Sequence, residues 1–231
     1  MGSVPIVHRP AAGAQRDARL VCFADTRKEA REAYMGKLDD RALAQLFTDA
    51  RTHFKWHDRE VPDALLRELH DLVKMGPTSA NCCPMRVVFV RTDEGKARLR
   101  PCLMQGNVDK TMSAPVTAII AFDSLFYTRM HELFPDMADE ARSWWEGEEK
   151  TGSEHGFRNG TLQGGYFILA ARALGLDCGP MSGFDADAVN SEFFPDGRFK
   201  ANFLCNLGYG DPSVLHPRLP RFDFDDVCQV I

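Results

Sequence analysis

Several features that mark particular classes of protein are absent from this chain of 231 residues. No dense Lys/Arg tract offers a surface for nucleic acid, and no apolar run approaches the ~20 residues needed to cross a bilayer. The N-terminus has no apolar signal-peptide core, so we expect a cytoplasmic protein that binds neither nucleic acid nor membranes. The seven cysteines form no CxxC pair, which argues against a zinc knuckle, and we expect most of them to be reduced and buried.

The composition that remains is that of an ordinary globular protein, and the length is enough for one substantial domain or two small ones. The hydrophobic fraction of 44% and the charged fraction of 26% are ordinary for such a protein. Residues 1–34 mix proline, glycine, arginine and alanine without apolar periodicity. We expect them to form a loosely ordered extension, or one that carries a short helix around Thr26–Tyr34. Residues 35–231 are expected to form a single domain.

The chain is organised around the stretch Gly76–Val90, which reads GPTSANCCPMRVVFV. Gly76 and Pro77 predict the end of an amphipathic helix at about Met75, and Val87–Val90 is typical of a short buried strand. Between them, small residues with hydroxyl and amide groups would let a ligand approach the backbone closely. The stretch indicates either a loop that cradles a ligand or an ordinary connection between a helix and a strand.

Hydrophobic spacing and capping residues predict the other elements of the domain. A first helix is capped by Asp39 or Asp40 and runs to about Ala50, and Pro62 suits the first turn of the next helix. The remaining predicted elements are a helix from Thr92 or Asp93 to Leu99, a helix opening near Asp185, and buried strands at Val116–Phe122 and Phe203–Leu207.

Two longer segments differ in character. Asp123–Ser153 is irregular and rich in aromatic residues, which predicts either a lid over a site or a small satellite core. Phe157–Leu174 has apolar and small residues on nearly all sides, which predicts a helix buried in the core or at a subunit interface. The adjacent Gly164 and Gly165 indicate tight packing along this helix, and Gly175 is a suitable residue to end it.

Three polar groups are candidates for ligand binding. Arg51, Thr52 and His53 supply a cation, a hydroxyl and an imidazole that could hold a phosphate, or they form a solvated turn. Asn107 and Lys110 would share one face of a helical turn, or they lie in a surface turn. The third group is a loop rich in glycine and proline, whose backbone N–H groups could point at a ligand acceptor. That loop contains Pro180, Met181, Ser182 and Gly183.

Four motifs resemble, in this order, the FMN-dependent nitroreductase family: FTDARTH, MGPTSANCCPMR, RALGLDCGPMSGFD and LGYGD. The resemblance runs from about Asp39 to the C-terminus and is closest to the malonic semialdehyde reductase subgroup, the RutE/HadB-like proteins. It implies an α+β fold in which helices flank a central, mostly antiparallel sheet, and an intertwined homodimer. It also implies FMN as cofactor. Because no GxGxxG follows a predicted strand, NADH or NADPH is expected to be a transient substrate.

The resemblance implies roles for particular positions. Arg51, Thr52 and His53 match a phosphate-binding segment of the family, and Arg218 matches a basic residue near the C-terminus that also reaches the phosphate. A second basic residue often follows that segment, where Phe54 stands here. The loop that reaches FMN from the partner subunit corresponds to Thr78, Ser79 and Asn81.

Other positions match residues near the flavin ring. Asn107 and Lys110 correspond to an Asn and a Lys that contact the pyrimidine edge, where a cation stabilises the charge of reduced flavin. Many members have Gln where Cys83 stands, and Glu where Ser182 stands. The loop whose backbone amides approach flavin N5 and O4 corresponds to Pro180, Met181, Ser182 and Gly183.

The resemblance implies a ping-pong oxidoreductase in which the cofactor carries the hydride, with no metal and no assigned catalytic side chain. His53 and His57 could donate a proton, but a structural or phosphate-side role is favoured for each. Three functions stay open. The first is reduction of malonic semialdehyde to 3-hydroxypropionate in pyrimidine degradation, the second is a broad nitro- or quinone-reductase, and the third is a non-redox FMN-binding protein.

Overall fold

The computed structural model describes residues 36–231, so the extension predicted for residues 1–34 and the possible helix at Thr26–Tyr34 lie outside the described residues. The strands of this part of the chain are β1 (Met85–Val90), β2 (Val116–Asp123), β3 (Asp177–Met181) and β4 (Phe199–Gly208). They form one antiparallel sheet with the spatial order β1–β2–β4–β3. This arrangement confirms the predicted α+β class with an antiparallel sheet.

Helices flank the sheet on both faces. No helix within residues 36–231 combines the length and apolar character needed to span a membrane. The helices are α1 (Asp40–Leu43), which continues as a π-helical turn (Ala44–Thr48), α2 (Asp63–Val73), α3 (Asp93–Leu99), α4 (Gln105–Met112), α5 (Met130–Leu133), α6 (Ala138–Ser143), α7 (Glu149–Ala173), α8 (Ala186–Phe193) and α9 (Phe224–Val227).

The core has two layers separated by the sheet, and β2 contributes to both. Every residue of β2 is buried, and successive side chains of a strand point to opposite faces. Ala118 and Ile120 therefore pack with residues of α2 and α7, whereas Ile119 and Ala121 pack with residues of α3 and α8. This double burial explains why β2 reads as a continuous apolar run in the sequence.

Strand β3 corrects the prediction that Pro180 and Met181 belong to a loop. Both residues lie within the strand, and Pro180 is paired with Cys205 of β4. Asp, Gly and Pro are unfavourable in strands, so the local sequence did not indicate one. Ser182 and Gly183 do follow the strand in a loop, and that loop leads into α8.

The long helix α7 begins earlier than predicted and packs through glycine. Gly156, Gly160 and Gly164 recur every four residues and share one face. A Cβ atom built at Gly156 or Gly160 would come within 2.9 Å of Phe122, and one at Gly164 within 2.5 Å of Phe203 Cε1. The missing side chains thus let α7 approach β2 and β4 closely. Phe157, in contrast, is half exposed in the isolated chain.

The segment after β2 forms a satellite core, which was one of the two predicted alternatives. Its aromatic residues pack edge to face, with 5.1 Å between the ring centroids of Phe126 and Trp145. The six cysteines in the described part of the chain are free, and four of them are buried, as predicted. The buried residues of the satellite core are Cys82, Phe126, Met130, Ala141 and Trp145.

Helix boundaries follow the capping residues that the sequence offers. The Thr92 hydroxyl accepts a hydrogen bond from the Gly95 N–H at 3.1 Å, which starts α3. Gly175 adopts a φ of +77° just after α7, a conformation that favours glycine. Helix α2 ends at Val73, two residues before the predicted Met75, because the chain turns there.

Candidate functional site

A cleft of about 440 Å³ contains the phosphate-binding candidates Arg51 and Arg218. They are separated by most of the domain in sequence, but Arg218 Nη2 donates to the carbonyls of Thr48 and Ala50 at 2.6 and 2.9 Å. The Arg51 guanidinium in turn donates to the carbonyl of His216. These contacts join the end of the first helix to the C-terminal segment.

Two further arginines line the same basic cleft, which makes it suitable for a phosphate. Arg172 reaches it from the last turn of α7, where its Nη1 donates to the Leu46 carbonyl at 3.0 Å. Its buried Nε has no hydrogen-bond partner among the described residues, and a buried donor of this kind is costly to leave unpaired. Arg221 enters from the C-terminal segment. Four arginine residues therefore line the cleft that an anion would enter.

A second cleft, of about 400 Å³, adjoins the basic cleft. Thr52, Phe54 and His216 line both clefts, and the rings of Phe54 and His216 stack with centroids 5.1 Å apart. The other walls of the second cleft include Lys110 from α4 and Pro180 from β3. The pair of clefts therefore offers positive charge at one end and a mixed polar and apolar surface at the other.

The segment from Arg51 to His53 lies beside β3, which explains how it reaches both clefts. Thr52 forms a parallel bridge with Cys178, and the His53 N–H donates to the Cys178 carbonyl at 3.0 Å. A Cβ atom at Gly179 would lie 2.6 Å from the His53 carbonyl oxygen, so glycine is needed for this close approach. The glycine that breaks the strand pattern in the sequence thus allows residues 51–53 to lie close against β3.

His53 is buried, its imidazole contacts β3, and it does not line the basic cleft. Its Nε2 lies 3.3 Å from Asp177 Oδ1, and the same Asp177 side chain accepts the Gly210 N–H at 2.8 Å. Burial lowers the pKa of His53, although Asp177 opposes this effect. The lowered pKa favours the neutral ring at pH 7, and Asp177 of β3 contacts both this ring and Gly210, which lies two residues after β4.

Asn107 and Lys110 both lie on α4, so the helical alternative is correct and the surface-turn alternative is wrong. Asn107 Nδ2 donates to the Gly183 carbonyl at 2.6 Å, which attaches α4 to the loop after β3. Gly183 has no room for a side chain because the Asn107 amide fills that space. Lys110 lines the second cleft, whereas Asn107, Met181, Ser182 and Gly183 do not line either cleft.

The small-residue loop packs on α7 and does not line either cleft. The Ser79 N–H donates to Asn159 Oδ1 at 2.9 Å, Asn81 Nδ2 donates to the Leu133 carbonyl at 2.8 Å, and the Thr78 hydroxyl accepts the Cys83 N–H at 3.2 Å. Left-handed φ angles, which are strained for residues with a side chain, occur at Ala80 (46°), Asn81 (52°) and Cys83 (38°).

Sequence reasoning missed Arg172, Arg221 and His216. Arg172 had a detectable signal, because it is a charged residue in the last turn of a helix that is otherwise rich in small and apolar residues. Arg221 and His216 had none, since their positions in the cleft depend on how the C-terminal segment folds back onto residues 48–51.

Comparison with known proteins identifies the family. The model of the nitroreductase family matches residues 49–209. A protein of Stutzerimonas stutzeri named "Putative NADH dehydrogenase/NAD(P)H nitroreductase" is 55% identical over 83% of this chain and 96% of its own. A Ralstonia nicotianae protein of the same description is 52% identical over 85% of this chain and 100% of its own. The chain belongs to the nitroreductase family, whose members are oxidoreductases.

Solved structures with low sequence identity share the fold. A Bacillus subtilis protein described as a "putative nitroreductase" superposes with a TM-score of 0.77 at 20% identity, covering 84% of this chain and 100% of its own. An Exiguobacterium sibiricum protein described as a "putative nitroreductase" was solved in complex with FMN. It has a TM-score of 0.73 at 16% identity, and the match covers 85% of this chain and 99% of its own. The predicted nitroreductase-like fold is therefore confirmed.

Proposed function

We propose that this protein is an FMN-dependent NAD(P)H oxidoreductase that works by a ping-pong mechanism. The observation that carries the proposal is the pair of adjoining clefts, one lined by four arginines and the other by Lys110 and Pro180. This arrangement suits a molecule with a phosphate at one end and a polar ring at the other. The names of the relatives in Stutzerimonas and Ralstonia support NADH or NADPH as the reductant.

The residues present fit FMN. Arg51, Arg172 and Arg218 would hold the phosphate, and the unpaired Nε of Arg172 is a donor still available for it. Thr52 would bond the chain between phosphate and ring, and Lys110 would place a positive charge beside the pyrimidine edge. When bound, FMN supplies reversible two-electron chemistry between NAD(P)H and the acceptor.

We further propose that the functional unit is a homodimer, in which Thr78, Ser79 and Asn81 contact the cofactor bound by the other subunit. Two observations support this assignment. The three residues do not line the clefts of their own chain. In addition, large apolar side chains are exposed along α7 and the C-terminal segment, more than an isolated chain would favour. They include Phe157, Leu162, Leu219, Phe222, Phe224 and Ile231.

For the acceptor, we propose malonic semialdehyde, which the enzyme would reduce to 3-hydroxypropionate in pyrimidine degradation. The support is the set of four motifs shared with the malonic semialdehyde reductase subgroup. The second candidate is a broad nitro- or quinone-reductase, and the word nitroreductase in the names of the relatives supports its action on nitro compounds. Both candidates use the same cofactor site.

The first experiment is the visible absorption spectrum of the purified protein. We expect a flavin band, release of about one FMN per subunit on denaturation, and rapid bleaching by NADH or NADPH under anaerobic conditions. Failure to bind added FMN would contradict the proposal, and a bound flavin that NAD(P)H cannot bleach would indicate a non-redox binding protein. Turnover of malonic semialdehyde, a nitroaromatic and a quinone would then be compared, and faster aldehyde turnover is expected.

A further inference from the structure

Lys96 of α3 is a buried cation whose two hydrogen bonds go to neutral oxygens. Its side chain is almost fully buried, with a residue exposure of 7%, and Nζ donates to the Thr111 carbonyl at 2.6 Å and to the Thr117 hydroxyl at 2.7 Å. Withdrawing an ammonium group from water without an opposite charge is costly. A methionine would fill a similar space at lower cost, so packing alone does not explain a lysine here.

A continuous chain of hydrogen bonds connects Lys96 with the backbone of Lys110. The Thr117 hydroxyl accepts from Lys96 and donates to Asn206 Oδ1 at 2.7 Å. Asn206 Nδ2 donates in turn to the Lys110 carbonyl at 3.1 Å. Thr117 and Asn206 are fully buried. Each donor in this chain has an acceptor, as a buried polar network requires.

The network ends on the last turn of α4, where helical carbonyls have no partner within the helix. Thr111 and Lys110 both belong to this turn. Lys96 donates to the Thr111 carbonyl. The Lys110 carbonyl accepts from Asn206 Nδ2 and also from the Trp56 indole N–H at 3.1 Å. A cation at a helix C-terminus is favourable. The end of α4 is thus attached to β2 and β4 through side chains.

We propose that Lys96 is a positioning residue that holds α4 in the orientation that places Lys110 at the second cleft. This inference rests on the proposed function, because it assigns Lys96 to the binding of FMN without direct contact. Lys110 lines the second cleft, and it belongs to the same turn of α4 that Lys96 contacts. A shift of this turn would move the Lys110 ammonium away from the proposed position of the flavin ring, while the basic cleft would stay intact.

The test compares Lys96→Met with the control Lys200→Met. Lys200 pairs with Phe122 near the start of β4, at the opposite end of the strand from Asn206. For the cofactor-free Lys96→Met protein, we expect the Kd for FMN, measured by flavin fluorescence, to rise about tenfold, as for the loss of a hydrogen bond to a charged group. The thermal midpoint should not fall. Lys96→Gln, which keeps N–H donors for both partners, should recover part of the affinity.

A second measurement does not depend on FMN. Hydrogen exchange of the Trp56 indole N–H and of the α4 amides reports the position of α4 in the cofactor-free protein, because the indole bonds the Lys110 carbonyl. Faster exchange is expected in Lys96→Met and not in Lys200→Met. If the wild-type protein failed to bind FMN, the proposed function would be wrong, while the exchange data would still decide whether Lys96 holds α4.

Thr117→Val interrupts the same network at the next side chain while keeping its volume. We expect it to weaken FMN binding in the same direction, and to add little in the double variant with Lys96→Met, because both changes break one network. Folded Lys96→Met protein with unchanged FMN affinity and unchanged exchange would overturn the proposal. Loss of folding in both single variants would also overturn it, since Lys96 would then serve folding and not the placement of Lys110.

Discussion

The buried ammonium of Lys96 makes stability depend on pH in a direction that can be calculated. Burial lowers its pKa from 10.5 to about 8 in the folded protein, whereas the unfolded chain keeps the ordinary value. Between these values the unfolded state binds more protons, so the free energy of unfolding rises with pH. We therefore expect the free energy of unfolding of the wild-type protein, measured relative to that of Lys96→Met, to rise by up to about 3 kcal/mol from pH 8 to 10.5.

Chemical denaturation of both proteins across this pH range measures the difference, and other titrating groups cancel in the comparison. A difference that stays flat or falls as pH rises would show that the two hydrogen bonds from Nζ fully compensate for burial of the charge. Below pH 8 the lysine is protonated in both states, so the difference should be constant there.

At the residue scale, local chemistry in the sequence located part of the candidate site. A cation followed by a hydroxyl and an imidazole marked Arg51, Thr52 and His53, and two of these side chains line the basic cleft. For His53 the sequence left a structural role and a phosphate-side role open, and the lowered pKa of this residue follows from its burial beside β3. To predict Arg172 as a cleft residue, one would need to know where α7 ends relative to the first helix.

Among the secondary-structure elements, those with a strong local signal were predictable. Strand β2 has a continuous apolar sequence, and α3 has a capping threonine, so each was found close to its observed bounds. Strand β3 was not found, because its residues favour turns and it exists through pairing with β4 on one side and with Thr52 on the other. Long-range pairing of this kind is not encoded in a local window.

The adjacent glycines of α7 give a matched test of helix packing. In Gly164→Ala the new Cβ would lie 2.5 Å from Phe203 Cε1. In Gly165→Ala no neighbouring atom of the described residues would lie within 4 Å of the new Cβ. We expect Gly164→Ala to lower the free energy of unfolding by about 1–3 kcal/mol through overpacking. In the isolated chain Gly165→Ala should be neutral, or stabilising by up to about 1 kcal/mol through helix propensity.

Urea denaturation of the two variants measures both effects on the same helix. Equal stabilities would show that α7 shifts to accommodate the methyl group. A large decrease in the free energy of unfolding in Gly165→Ala alone would indicate that a partner subunit covers this face of α7, where Leu162 is exposed in the isolated chain.

For the whole molecule, the sequence could not show that Arg51 and Arg218 meet, because the meeting depends on the C-terminal segment folding back. The resemblance to the nitroreductase family supplied that expectation. The same resemblance predicts that each cofactor site combines two chains, and a mixture of two impaired chains tests this arrangement.

Arg218→Ala should weaken FMN retention by removing one of the proposed phosphate ligands, and Asn81→Ala should do so by altering the loop proposed to reach the other subunit. If the loop acts across the interface, a mixed dimer has one intact site and one doubly impaired site. Random association of equal amounts then restores about a quarter of the sites to full affinity. Differently tagged chains, co-expressed and purified by both tags, allow FMN titration of the mixed dimers alone, where about half of the sites should be tight. If the loop served its own chain, every site in the mixed dimer would carry one lesion, and no tight FMN binding would appear.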